Sequence, residues 1–136
     1  MSAALAPEVA AFLEKIPFAR HLGIRIEALA KGLAQLAFDI RPEYTTSWGT
    51  VHGGAVLALL DVTLSMAART LYDPPRSMMT IELSTHFLGT ATGVLRAEGR
   101  VLRAGRTTIF CEGEARSEKA ELVAKAVGTF RARSAQ

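Results

Sequence analysis

One cysteine, Cys111, stands alone in 136 residues, so no internal disulfide can form, and no cysteine and histidine cluster accompanies it. A cysteine-stapled secreted scaffold and a zinc finger are both excluded. The three histidines, His21, His52 and His86, have no ligand spacing, and no metal site is expected. Runs of one charge sign are missing as well. The net charge of +3 comes from 12 arginines and 4 lysines scattered among 13 acids. That scatter argues against nucleic acid as the main partner and leaves room for a small anionic ligand. The longest apolar stretch, Gly53 to Met66, is interrupted by Asp61 and Ser65 and falls short of the ~20 residues of a membrane-spanning helix. No basic residue precedes Lys15, and Glu8 already stands in the opening segment, which is unlike a secretory signal; a cytoplasmic location is the expectation. Also absent are a Gly-x-Ser-x-Gly elbow, a Walker loop, a Gly-x-Gly-x-x-Gly turn and a His-Glu-x-x-His helix.

What is present suffices for a packed core: 49% of the residues are apolar and 21% charged. A single domain over residues 1–136 is expected, with residues 1–20 as a helical lead-in. Residues 6–15 read as a short helix with Val9, Phe12, Leu13 and Ile16 on one stripe, ended by Pro17. Two-residue alternation follows, with Ile24, Ile26 and Ala28 opposite Arg25, Glu27 and Leu29. After a turn at Lys31-Gly32, Ala34, Leu36, Phe38 and Ile40 oppose Gln35, Asp39 and Arg41, which completes a hairpin. From Gly53 to about Leu71 the chain is apolar on nearly every side, as a central helix would be. Alternating runs then cover 78–88, 94–103, 107–116 and 121–132. In the first of these, Met79, Ile81, Leu83 and Phe87 oppose Thr80, Glu82, Ser84 and His86. The pattern predicts an α+β fold with one long antiparallel sheet and one long central apolar helix inserted between a first hairpin and a later meander. One helix covers only part of such a sheet, so oligomerisation is expected.

The chemistry concentrates in Thr46-Ser47-Trp48-Gly49-Thr50-Val51-His52-Gly53-Gly54 and in Asp61. Two glycines at a helix start leave backbone N–H groups uncovered at the positive end of the helix dipole. They can polarise a carbonyl, or they can simply permit a tight entry and the packing of Trp48. A carboxylate among Leu57, Leu59, Leu60, Val62 and Leu64 is costly unless it is paired, functional or reaching solvent. Asp61 lies eight residues beyond Gly53, a rise of ~12 Å and a rotation of ~80° on one helix. One chain cannot bring both to a single carbonyl, whereas two helices paired antiparallel across a two-fold axis can. The spacing therefore predicts a dimer with two shared sites.

With Gly49-Thr50-Val51-His52-Gly53-Gly54, the spaced Asp61, the run Thr80-Ile81-Glu82-Leu83-Ser84-Thr85-His86-Phe87-Leu88 and Gly105-Arg106-Thr107, the sequence resembles the hotdog-fold acyl-CoA thioesterases of the PaaI-like group from about Ile16 to Arg133. The resemblance implies the hotdog fold, with the long antiparallel sheet wrapped around the central helix, the sheet continuous across two protomers, and dimers that pair into tetramers. It also implies hydrolysis of a small, medium or aromatic acyl-CoA, coenzyme A being part of the substrate and no separate cofactor being needed. The Gly53 N–H, with Gly54 beside it, would polarise the thioester carbonyl; Asp61 of the partner would act as general base or nucleophile. Thr80 stands where relatives use a hydroxyl residue to orient water, and His52 would shape the turn, hydrogen-bond near the carbonyl or serve structure alone. Thr46 departs from the asparagine of several relatives and offers only a hydroxyl. Arg100, Arg103 and Arg106 are candidates for the coenzyme's phosphates, with a solvated strand face as the alternative, and Trp48, Leu57, Leu60 and Phe87 are candidates for the acyl pocket. A non-catalytic acyl-CoA-binding module and a hydratase or dehydratase are the competing readings.

Overall fold

Alternation along the chain resolves into six strands, and the central apolar run into a helix, in a computed structural model that describes residues 5–134. Residues 1–4 of the expected lead-in and residues 135–136 lie outside the described residues. The elements in chain order are α1 (Leu5–Leu13), α2 (Pro17–Leu22), β1 (Arg25–Ala30), β2 (Leu33–Asp39), a single 3₁₀ turn (Pro42–Tyr44), α3 (Gly53–Arg69), β3 (Met78–Phe87), β4 (Val94–Ala104), β5 (Thr108–Arg116) and β6 (Leu122–Ala132). The sheet order is β1-β2-β4-β5-β6-β3, with every neighbouring pair antiparallel. The hotdog architecture expected from the sequence is the one observed. No helix among the described residues is long and apolar enough to cross a membrane.

Pro17 does not simply stop the first helix. Its fixed φ and missing N–H suit a first turn, so it opens α2, which Gly23 closes in the left-handed region at φ 71°. Two bulges also revise the face assignments. In β1 the register shifts between Ile26 and Ala28, so Leu29, and not Ala28, packs toward the core beside Ile26. In β3 it shifts between Thr80 and Glu82. Thr80 opposite Phe130, Leu83 opposite Gly128 and Phe87 opposite Ala124 thereby share the side that faces α3, and Ile81 becomes the extra residue.

The helix lies against the inner face of the sheet around Phe38, Phe130, Leu59, Leu60, Leu64, Leu95 and Ile109, all fully buried. Its close approach depends on the absence of side chains beneath Leu64. Gly99 and Gly113 are cross-strand partners, and a Cβ on either would come within 2.8 Å and 2.7 Å, respectively, of Leu64 Cδ2. Cys111 is buried on this inner face, and burial pushes its thiol from 9.0 up to about 12. The neutral thiol therefore favours the fold below pH ~9, and that contribution is lost as pH rises toward about 12. Urea midpoints measured from pH 8 to 11 should fall, and fall less steeply in Cys111→Ala; equal slopes would remove Cys111 as a cause.

Candidate active site

The loop before α3 is held by its own backbone. Thr46 N–H donates to Thr50 O at 2.8 Å, Gly49 N–H to Thr46 O at 2.9 Å, and His52 N–H to Tyr44 O at 2.7 Å. The Thr46 hydroxyl accepts from Trp48 N–H at 3.2 Å and sits 3.4 Å from Thr50 Oγ1, so it is engaged within the loop. Trp48 projects from the tip, 88% exposed. His52 is the N-cap of α3: its Nδ1 accepts from Gly54 N–H at 2.8 Å. Gly54 N–H is thereby satisfied. Gly53 N–H has no hydrogen-bond partner among the described residues and is the uncovered donor at the positive end of the helix. The Phe87 ring lies over this end, 3.5 Å from where a Gly53 Cβ would stand.

Asp61 occupies the other end of the exposed stripe of α3. That stripe runs through Gly54, Leu57, Ala58 and Asp61, at the three- and four-residue spacing of one helix face. Asp61 is half-buried and not enclosed among leucines as the sequence suggested, because its neighbours Leu59, Leu60 and Val62 turn toward the core. For the same reason Leu60, fully buried, cannot contact an acyl group at this face, whereas the exposed Leu57 can. The Thr80 hydroxyl donates to Asp61 Oδ1 at 2.7 Å, a contact made possible by the β3 bulge. The chain thus carries two groupings along α3: Gly53 with Phe87, and Asp61 with Thr80. Among the described residues the two halves do not meet within the chain.

Two participants were not foreseen. Ser65 and Arg69 continue the Asp61 face at four-residue steps, and Arg69 is buried, donating to Ser65 Oγ at 2.7 Å and lying 4.5 Å from the Phe12 ring centroid. Burial lowers its guanidinium to about 10, and attraction to Asp61 opposes that shift, although no ion pair within 4.0 Å joins them. A cation in the last turn also suits the negative end of the helix. The i, i+4, i+8 spacing of Asp61, Ser65 and Arg69 was the available signal.

The arginine candidates separate. Arg100 lies on the outer face, where its guanidinium donates to Glu112 at 2.8 Å and to Glu98 at 3.5 Å. It is already occupied. Arg103 faces outward opposite Phe110 beyond a bulge, and Arg106 is exposed at the β4–β5 turn. A depression of about 260 Å³ lined by Glu27, Gln35, Arg96, Glu98, Glu114 and Glu118 also opens on this outer face, away from Asp61, and of these Glu27, Glu98 and Glu114 are paired with Arg96, Arg100 and Arg116. No three side chains among histidine, cysteine, aspartate and glutamate converge as metal ligands among the described residues.

Residues 49–124 match the family model described as the thioesterase superfamily. The chain is 31% identical over 135 residues to a medium/long-chain acyl-CoA thioesterase of Escherichia coli, covering 88% of this chain and 87% of that one. A solved thioesterase family protein from Silicibacter pomeroyi superposes with a TM-score of 0.89 at 25% identity, covering 96% of this chain and 98% of that one. The PaaI protein from the phenylacetic acid degradation operon of E. coli superposes with a TM-score of 0.87 at 20% identity, covering 96% and 94%.

Proposed function

The chain belongs to the thioesterase superfamily and is a thioester hydrolase of the hotdog fold, and on that premise we propose that it hydrolyses small, medium or aromatic acyl-CoA esters at two sites shared by a homodimer. The observation that carries this reading is the pair of complementary half-sites on one protomer: an unpaired Gly53 N–H at the start of α3, and Asp61 hydrogen-bonded to Thr80 at its middle. β3 is the terminal strand of the sheet, ten residues long, with Met79, Ile81 and Phe87 exposed, and a long apolar edge of this kind invites another strand. Pairing β3 with its copy about a two-fold axis between Leu83 and Ser84 sets Thr80 of one chain opposite Phe87 of the other. Each Asp61 and Thr80 half-site is then completed by a Gly53 half-site. The apolar Phe110 and Val127, exposed on the outer face, suit a second contact that pairs dimers into a tetramer.

In the joined site the Gly53 N–H donates to the carbonyl oxygen as it gains negative charge. With Oδ1 held by Thr80, Asp61 uses Oδ2 as general base: it takes a proton from water as that water attacks the carbonyl carbon, and collapse of the tetrahedral intermediate expels the thiolate, which recovers the proton. Direct attack by the carboxylate gives an anhydride that water then opens, with the same products. The exposed Trp48, Leu57 and Phe87 supply apolar contacts for the acyl group. A hydratase would pair a histidine with the acid. His52 is instead engaged with Gly54, and Asp61 with Thr80.

The test is a panel of short, medium, long and aromatic acyl-CoA esters followed by free-thiol release. Turnover should be highest with medium or aromatic acyl groups. Absence of release across the panel would leave a binding module in place of an enzyme.

A further inference from the structure

Arg69 is the one buried arginine among the described residues, 5% exposed, and the reaction outlined above gives it no part. No carboxylate lies within 4.0 Å of it among those residues. Its hydrogen bonds run from one side of the guanidinium, where Nη1 donates to Ser65 Oγ at 2.7 Å and to Met66 Sδ at 3.7 Å. On the other edge neither Nε nor Nη2 has a hydrogen-bond partner among the described residues, and Nε is fully enclosed. A guanidinium taken out of water needs a negative charge and an acceptor for each donor. The chain supplies a hydroxyl, a thioether and the face of Phe12. Asp61 attracts the cation from the same side of α3, but its carboxylate is bonded to Thr80 and the two form no ion pair.

The position of this cation identifies the anion it lacks. Arg69 lies two steps of four residues beyond Asp61, and side chains on a helix lean toward its N-terminus. The guanidinium accordingly stands level with Ser65, ~6 Å along the axis from Asp61. The face they share is exposed at Gly54 and Leu57, half-buried at Ala58 and Asp61, and buried at Ser65 and Arg69. Its far end is covered by α1, whose Phe12 ring centroid is 4.5 Å from the guanidinium carbon. Lys15 Nζ lies 5.9 Å from the centre of the same ring, and it too has no carboxylate within 4.0 Å among the described residues. An acyl chain that runs along this face from a thioester at Asp61 ends against a cation. Hydrocarbon there leaves Nε and Nη2 unpaired, whereas a carboxylate presents two oxygens to that edge of the fork.

We propose that Arg69 determines acyl specificity, and that the acyl group of the preferred ester ends in a carboxylate seated on the free Nε and Nη2 edge of its guanidinium. The inference rests on the acyl-CoA reading above and narrows it: among medium chains of one length, the monothioester of a dicarboxylic acid is favoured over the plain fatty acyl ester. Phe12, half-buried on the nine-residue α1, is the side chain that shifts to admit the acid. The carboxylate undergoes no chemistry at this end. It anchors the chain while the thioester is opened at Asp61, and it leaves with the dicarboxylate product.

The test sets adipyl-CoA against hexanoyl-CoA, which match in chain length and differ in the terminal acid. In the wild type kcat/KM should be about tenfold or more higher for adipyl-CoA. In Arg69→Met, which keeps an unbranched stem and removes the cation, the order should reverse. Calorimetry on Asp61→Asn, in which the esters persist, should show the same tenfold preference in Kd, and Asp61→Asn/Arg69→Met should lose it. Hexanoyl-CoA bound as tightly as adipyl-CoA by Asp61→Asn overturns the assignment, and that measurement needs no Arg69 variant to fold. A preference for adipyl-CoA that survives Arg69→Met overturns it as well. Tighter binding of adipyl-CoA with no thiol release from either ester by the wild type would instead overturn the hydrolytic reading and leave the role of Arg69 standing.

Discussion

Replacing Asp61 by asparagine should lower thioester hydrolysis by about 10² to 10⁴-fold, the range over which a positioned general base acts. Asparagine keeps the shape and leaves an oxygen to accept the Thr80 hydroxyl, now bonded at 2.7 Å, so the geometry of the half-site survives while the base is lost. The loss should appear in kcat as well as kcat/KM, since the missing interaction belongs to the transition state. Light scattering on the wild type and the variant should report the same dimer or higher assembly. Near wild-type release of free thiol by the variant would sink the proposed role of Asp61, and a fully active monomer would sink the shared site.

The second large effect concerns the sheet under α3. A Cβ on Gly113 would come 2.5 Å from Glu98 O and 2.7 Å from Leu64 Cδ2. The carbonyl belongs to the partner strand and cannot retreat without disturbing the β4–β5 pairing, in which Glu98 faces Glu114 and Gly99 faces Gly113. Gly113→Val should therefore cost roughly 3 kcal/mol, a large part of the about 5–15 kcal/mol that stabilises an ordinary domain. A thermal melt should show the midpoint lowered by roughly 10 °C. Hydrolysis should fall as well, because Leu64 lies three residues from Asp61 and any lift of the helix moves the carboxylate away from Thr80. An unchanged midpoint would mean that the trough is looser than the contacts indicate.

The sequence made the strands and the central helix legible because their apolar periods are long. Gly53 and Asp61 were legible because each breaks a local rule, glycine at a helix start and a carboxylate in an apolar run. The bulges at Glu27 and Ile81 were not, since an extra residue leaves the composition unchanged and only inverts which side chains face inward. Without the second bulge Thr80 would not reach Asp61, so the hydrogen bond at the site depends on a feature that alternation conceals. Arg69 was hidden in a different way. Its charge reads as a helix end exposed to solvent, and only the docking of α1, with Phe12 over the guanidinium, encloses it. Leu60 shows the opposite error: proximity to the motif suggested contact, but one step around the helix turns it into the core.

The placing of the arginines has a consequence in time. Arg76, Arg106, Arg131 and Arg133 border one groove where β6 ends and β3 begins, so the chain carries an uneven field, and an approaching polyanion is turned before it touches the surface. For the acyl-CoA esters proposed as substrates, the phosphorylated end would lead and the acyl end trail, the orientation in which the thioester would reach Asp61. At the roughly 8 Å Debye length of physiological salt this guidance acts only over about the last nanometre of the approach, where the choice of orientation is made.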